Sequence, residues 1–303
     1  NINYGKINIM NTKKPIIFFG TEDFSAISLQ QLIDDNFNIV GIITKPDSKK
    51  GRGQKIQPPK VKIIGEEYNI PVLQPQKMNE IIDFIHNFDK PAGVLVSFGR
   101  IIPQNIIDLF TPGIINVHPS LLPKYRGPSP IESAIFNGDS ETGVSIMQLS
   151  AKMDAGPVYI QEKISLDDTI TASQLYTLAG KMGARLLSSH LDAILNQNLL
   201  PEPQDEEETV YCQLLSKIDA LLNSQTMTAQ QAEQQIRAYE IFPKTKIEIS
   251  GFLCIINEAN VVDAKATPLD IEFKDSKYLR IKKLTALSGK QMNADSFING
   301  YLK

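Results

Sequence analysis

Short β-branched apolar runs alternate with amphipathic stretches of helical length through the first two-thirds of this chain, and that rhythm admits few folds. Pro15–Gly20 (PIIFFG), Asn38–Thr44 (NIVGIIT), Pro71–Leu73, Ala92–Ser97 (AGVLVS) and Gly113–His118 (GIINVH) read as strands. They are short, apolar and bounded by Gly, Pro or Thr turn signals. Between them Phe24–Ile33, Val61–Tyr68, Asn79–Phe88 and Pro103–Leu109 carry apolar residues at helical spacing. Strand, helix, strand in this order implies right-handed crossovers and a mostly parallel sheet with helices on both faces. The expected class is therefore α/β and Rossmann-like. Lys45–Pro59 is expected to be a lysine- and proline-rich loop. Val144–Leu149 and Pro157–Ile164 should form a hairpin closed by a tight turn near Asp154-Ala155-Gly156, and Thr171–Leu195 a long helix.

At Asn196–Glu208 (NQNLLPEPQDEEE) the chain turns polar, acidic and proline-bearing, which marks a linker. Beyond it a helix at Thr228–Ala238 precedes short β-like runs at Lys246–Ile249, Phe252–Asn257, Asp270–Phe273 and Leu279–Leu284. Strands without intervening helices suggest a small β-barrel of OB-like type. The expected organisation is a polar extension (1–14), a catalytic domain (15–195), a linker (196–208) and a barrel domain (209–303).

Bulk properties narrow the function. A net charge of -3 excludes a uniformly basic nucleic-acid binder, though not a local cationic patch. Cys212 and Cys254 stand far apart, so neither a disulfide framework nor a zinc site is expected, and a reducing cytoplasm is the natural setting. No apolar run approaches the roughly 18 residues that cross a bilayer, and residues 1–14 hold no secretory apolar core. The turn Gly20-Thr21-Glu22-Asp23 is neither GxGxxG nor a Walker motif, and no metal-ligand spacing occurs.

In an open parallel sheet, reactive groups gather beyond the carboxyl ends of the strands. Alternation along Gly113–His118 puts Asn116 and His118 on one side at that end. An amide donor beside an imidazole suits acyl transfer, since both can stabilise an oxyanion and the imidazole can also carry a proton. Asp154, in Met153-Asp154-Ala155-Gly156, is a carboxylate that could reach back to orient the imidazole. Singly, each residue has a plainer reading: a strand-end cap, a buried amide, an Asp in a turn. Spacing alone leaves an α/β enzyme of unspecified reaction.

Asn116-Val117-His118-Pro119-Ser120-Leu121-Leu122-Pro123, followed by Arg126-Gly127-Pro128-Ser129-Pro130-Ile131, resembles the signature of the folate-dependent formyltransferases. Thr142-Gly143-Val144-Ser145-Ile146-Met147 and Met153-Asp154-Ala155-Gly156 match that family's next block in order. The resemblance implies direct transfer of a formyl group from N10 of 10-formyltetrahydrofolate to an amine, without a metal. It implies Asn116, His118 and Asp154 as the catalytic set, and Ser120, Leu121, Leu122 and Pro123 as folate-pocket residues contacting the pterin through backbone groups.

Several branches of the family share this set, including those acting on small amines and those hydrolysing formyl-folate. Phe18-Phe19-Gly20-Thr21-Glu22-Asp23-Phe24 is similar to the opening of the branch that formylates methionyl-initiator tRNA, with Glu22 where that branch usually has Pro. Lys45-Pro46-Asp47 through Gly51-Arg52-Gly53 to Pro58 resembles that branch's inserted loop. Ile236-Arg237-Ala238-Tyr239, Phe242-Pro243 and Gly289-Lys290-Gln291-Met292 resemble its second domain. The chain lacks tryptophan; Tyr125 and Phe242 supply rings where that branch carries indoles. This branch implies methionyl-initiator tRNA as partner, a monomer, and no membrane partner.

The inserted loop has physical logic of its own. Lys45, Lys49, Lys50, Arg52, Lys55, Lys60 and Lys62 gather between positions 45 and 62, opposed by one acid, Asp47. A solvated basic loop is the plain reading. Phosphate binding needs concentrated local charge, and glycines beside Arg52 let its guanidinium approach a phosphate or base edge. Lys45, Lys49, Lys50, Arg52, Lys55 and Arg126 are the expected RNA contacts, with Lys277, Arg280, Lys282 and Lys283 as a weaker cluster in the second domain.

Overall fold

The computed structural model describes residues 13–50, 53, 55–286 and 289–302, the Lys50 side chain excepted. Arg52 and nearly all of the polar extension lie outside the described residues. The chain divides into two compact units. One holds the described residues up to Leu122 with Val144–Glu162 and Ala179–Glu206; the other holds Pro123–Gly143, Lys163–Leu178 and the described residues from Glu207 onward.

The first unit is built on β1 (Ile16–Gly20), β2 (Ile39–Ile43), β5 (Val72–Leu73), β6 (Ala92–Val96), β7 (Ile114–His118), β8 (Glu141–Gln148) and β9 (Val158–Ser165). Their order is β5-β2-β1-β6-β7-β8-β9; β8 and β9 also contribute residues to the second unit. Pairing is parallel from β5 to β7 and antiparallel between β7 and β8. The chain therefore moves outward from β1 to β5 and returns to β6 on the other side of β1. That reversal opens the crevice where α/β sheets place ligands. Strands buried on both faces must be apolar throughout, and Ile16–Phe19, Ile42, Ile43, Val94, Val96, Ile114 and Ile115 are all fully buried. Phe19 meets Phe98 and Phe110 edge-on, each at 5.7 Å.

Helices α1 (Asp23–Asp34), α2 (Lys60–Glu67), α4 (Gln104–Ile107) and α6 (Ala172–Leu195) fall where periodicity puts them, α6 having residues in both units, while α3 (Ile82–Ile85) is shorter than expected. Three segments differ from the sequence expectation. Within Lys45–Pro59, β3 (Ser48–Lys50) pairs antiparallel with β4 (Lys55–Gln57), with Lys49 opposite Ile56. These triplets lack apolar alternation, so nothing in them signals a strand. Asn79–Phe88 is not one helix: a 3-10 turn at Met78–Ile81 leads into the single turn of α3. Asn87 ends α3 by donating its Nδ2 to the carbonyls of Asp83 and Phe84. Leu149 to Pro157 is a long connection between β8 and β9 where a tight turn was expected.

The second unit contains α5 (Pro130–Phe136), unmarked in the sequence and begun by a proline at its first turn. Phe136 stacks at 5.8 Å on Tyr239, the residue that follows α7 (Ala229–Ala238). Thr228 accepts from the Gln231 amide in a reciprocal capping box. An antiparallel sheet follows from β10 (Lys246–Ile249), β11 (Phe252–Val262), β12 (Asp270–Glu272), β13 (Tyr278–Thr285) and β14 (Gln291–Asn293). It runs in the order β10-β11-β13-β12 with β14 also on β13, the open half-barrel of a small barrel domain. Its core joins Ile236, Ile247, Cys254, Ile256, Leu279 and Phe297, the last from α8 (Ala294–Tyr301).

Glu132 of α5 is a buried carboxyl. Oε1 accepts from the Tyr176 hydroxyl at 3.0 Å, while Oε2 has no hydrogen-bond partner. Burial pushes its pKa up. An acid raised in this way favours folding while protonated, and that contribution fades as pH rises through the folded pKa. Glu132→Gln keeps the neutral form at every pH. In urea unfolding it should match the parent near about pH 4. At about pH 8 it should exceed the parent by about 1 to 3 kcal/mol, the cost of an unsatisfied buried polar group. Equal differences at both pH values would contradict this.

Candidate active site

β7 ends in Ile-Asn-Val-His, and every residue of it is buried. Asn116 and His118 are each 5 % exposed, on the same side of the strand by alternation. Asn116 lies opposite Leu95 and Met147, and His118 opposite Ser145. Among the described residues no hydrogen bond holds the Asn116 side-chain amide, and it is not one of the fully enclosed polar groups left unpaired, so its end keeps access to solvent.

Asp154 comes from the connection between β8 and β9. One of its carboxylate oxygens is 3.8 Å from Nδ1 of His118. That is within charge-pairing range and longer than a hydrogen bond. Asp154 has a positive φ of 47°, which Asp tolerates better than most residues. Gly156 runs against β8 so closely that a Cβ there would fall 1.8 Å from the Gln148 carbonyl oxygen. Only glycine permits that approach. Nε2 of Gln204 donates to the carbonyls of Asp154 (2.8 Å) and Gly156 (2.6 Å). Asp154, 36 positions after His118, thus comes within charge-pairing range of the imidazole, while Asn116 precedes His118 by two residues on β7.

The segment after His118 is equally fixed. Ser145, fully buried on β8, donates its hydroxyl to the Ser120 carbonyl at 2.6 Å. It accepts from the Leu122 amide at 3.1 Å and from Nε2 of Gln161 at 2.8 Å. Gln161 also donates to the Leu122 carbonyl at 2.8 Å. Ser120 and Leu122 are buried, and Leu121 and Pro123 half-buried. The backbone groups of Leu122 are therefore spent on Ser145 and Gln161. Sequence reasoning singled out neither Ser145 nor Gln161 for a role; Ser145 had a signal, as the one polar residue within the apolar run Val144–Met147.

Beside β7, the ends of β1, β2, β5 and β6 surround a cavity of about 600 Å³ lined by Thr21, Glu22, Lys45, Asp47 and Arg100 among others. Thr21 knots it together: its hydroxyl donates to the Phe98 carbonyl and accepts from the Lys45 amide. Arg100 holds the carbonyls of Pro75 and Gln76 at 2.6 Å each. Lys45 is half-buried and lies over Gly99 (φ 66°), where a Cβ would collide with its ammonium. Three hydrogen bonds, one from Gln74 and two from Lys62, hold the Asp47 carboxyl below its ordinary range. Among the expected RNA contacts, Lys49 and Lys55 are exposed on the hairpin.

Arg126, expected among the RNA contacts, is fully buried. Its backbone instead pairs with the strand-like segment at Val210 to Cys212. The second cluster is largely neutralised: Lys277 pairs with Asp263, Arg280 with Asp270, and Lys283 with Glu258. Arg237 grips Glu233 and the Ile170 carbonyl and so serves packing. Among the described residues no group of His, Cys, Asp or Glu is placed to hold a metal ion, and no helix is long and apolar enough to cross a membrane.

Comparison with known proteins gives the chain its family. The formyl transferase family matches residues 13–191. Methionyl-tRNA formyltransferase of Geobacter metallireducens is 35 % identical over 296 residues, covering 94 % of this chain and 95 % of that protein. An N-formyltransferase from Helicobacter canadensis, solved with folinic acid and dTDP-3-aminofucose, superimposes with a TM-score of 0.69 at 18 % identity, over 89 % of this chain and 98 % of that one. HypX from Aquifex aeolicus, solved with tetrahydrofolic acid, gives a TM-score of 0.63 at 15 % identity, over 95 % of this chain and 47 % of that one. At such identities the solved structures speak to the fold.

The Ser145 hydroxyl uses its donor and both acceptor positions, so its loss cannot be absorbed locally. Ser145→Ala should lower the free energy of unfolding by about 1 to 3 kcal/mol, measured by denaturant titration. An unchanged midpoint would show that the strand-end segment is held by something else.

Proposed function

The chain belongs to the formyl transferase family, and within it we propose that this protein transfers the formyl group of 10-formyltetrahydrofolate to the α-amino group of methionyl-initiator tRNA. The observation that carries the chemistry is the meeting of Asn116, His118 and Asp154 at the buried end of β7, with His118 and Asp154 3.8 Å apart. The substrate is supported by the extent of the likeness to methionyl-tRNA formyltransferases, which runs through the carboxyl-terminal segment as well as the catalytic one.

The neutral methionyl nitrogen attacks the formyl carbon, and the carbonyl oxygen gains charge. Asn116 and His118 donate hydrogen bonds to that oxygen, in a site where burial strengthens them. Asp154 orients His118 and helps take the proton released by the amine. Cleavage of the bond between the formyl carbon and N10 then leaves the formyl group on the amine, with a proton returned to N10. No covalent enzyme intermediate is required, so holding amine and formyl in attack geometry supplies much of the acceleration. Ser120 to Pro123, fixed through Ser145 and Gln161, line the folate side.

RNA recognition is assigned to the basic hairpin and the carboxyl-terminal segment. Lys49 and Lys55 stand in solvent on β3 and β4, where phosphates can reach them, and Lys45 offers its ammonium inside the adjoining cavity. Lys50 and Arg52 belong to the same stretch of sequence. Buried Arg126 does not join them in this conformation. In this reading residues 15–195 carry the chemistry, 196–208 link, and 209–303 help hold the RNA. The protein acts as a cytoplasmic monomer.

Formyl transfer from 10-formyltetrahydrofolate should be seen with methionyl-initiator tRNA and not with uncharged tRNA or an amino sugar. Folate turnover accompanied by formylation of the amino sugar, and none of the tRNA, would refute the assigned substrate.

A further inference from the structure

The linker is not a passive tether at its amino-terminal end. In Leu200-Pro201-Glu202-Pro203-Gln204, the two prolines have no N–H and hold the residues before them extended. Glu202 between them is left to make both backbone hydrogen bonds to Val158 of β9, donating at 2.8 Å and accepting at 2.7 Å. Gln204, two residues further, then reaches the turn that bears Asp154. Both hydrogens of its Nε2 are used, on the carbonyls of Asp154 and Gly156. The turn it grips has Asp154 in the left-handed region and Gly156 pressed onto β8, and its internal Ala155–Lys152 backbone hydrogen bond is a long one at 3.2 Å. A second tie from the linker, Glu206 to Lys152 at 3.3 Å, is exposed on both sides and contributes little.

We infer that Gln204 is a positioning residue for Asp154: a side chain of the linker sets where the catalytic carboxylate stands relative to His118. The inference rests on the reading that Asp154 serves the reaction. It gives the linker a part in catalysis, since any shift of residues 200–204 along β9 moves the turn with it. Gln204 touches neither reactant in this scheme and acts through the carbonyls of Asp154 and Gly156.

Gln204→Ala and the isosteric Gln204→Glu, whose ionised carboxylate cannot donate, are the variants to compare in the full chain. Both should lower kcat by about 10- to 100-fold, the scale of a displaced catalytic group, with the KM for methionyl-tRNA changed less than threefold. In an Asp154→Asn background, Gln204→Ala should add little further loss, because it acts through the group already disabled. Hydrogen exchange of the amides at 153–156 should quicken in Gln204→Ala while the amides of β7 stay protected. Multiplicative losses in the double variant, a Gln204→Glu protein as active as the parent, or unchanged exchange at 153–156 would each overturn the inference. Asp154→Asn retaining full kcat would instead refute the catalytic reading, and the exchange measurement would still decide whether Gln204 holds the turn.

Discussion

A parallel strand covered on both faces has no solvent to satisfy its side chains, and β7 nonetheless ends with an amide and an imidazole inside that cover. Everything around the site answers to this constraint. The imidazole finds a carboxylate at 3.8 Å, carried in from the connection after β8. No described residue holds the amide by a hydrogen bond, and its end keeps access to solvent. Burial strengthens such donors toward an oxyanion, so the covered strand end favours the reaction.

The site then depends on parts that do no chemistry. Ser145 ties Ser120 and Leu122 to β8, and Gln161 adds a second hold from β9. Gly156 lets the Asp154 turn lie against β8, and Gln204 closes it from the linker. Catalytic geometry at this precision is a property of these supports as much as of the reacting groups. The basic hairpin follows different rules. Lys49 and Lys55 on it lie in solvent, where individual ion pairs are weak, so it suits a polyanion that meets both together.

Much of this was legible in the sequence because it depends on local pattern. Continuous apolar runs such as Ile16–Phe19 leave no choice but a doubly covered strand, and alternation alone puts Asn116 beside His118. The β3–β4 hairpin was hidden because Ser-Lys-Lys and Lys-Ile-Gln carry no burial pattern. α5 escaped because a proline-led segment after many turn residues looks like more loop. Arg126 sits within a basic-looking signature, and its burial is decided by the distant segment Val210 to Cys212 pairing with it. Gln204 had no signal at all. Its role exists only because Glu202 docks on β9, a contact between residues distant in sequence.

The central claim is that the three residues at the end of β7 and the turn after β8 act as one catalytic unit. Single-turnover formyl transfer to methionyl-initiator tRNA by Asp154→Asn tests it most directly, because that change keeps shape and removes the charge. The account predicts a rate lower by about 100- to 10,000-fold, with folding and folate binding intact. A rate within a few-fold of the parent would contradict it.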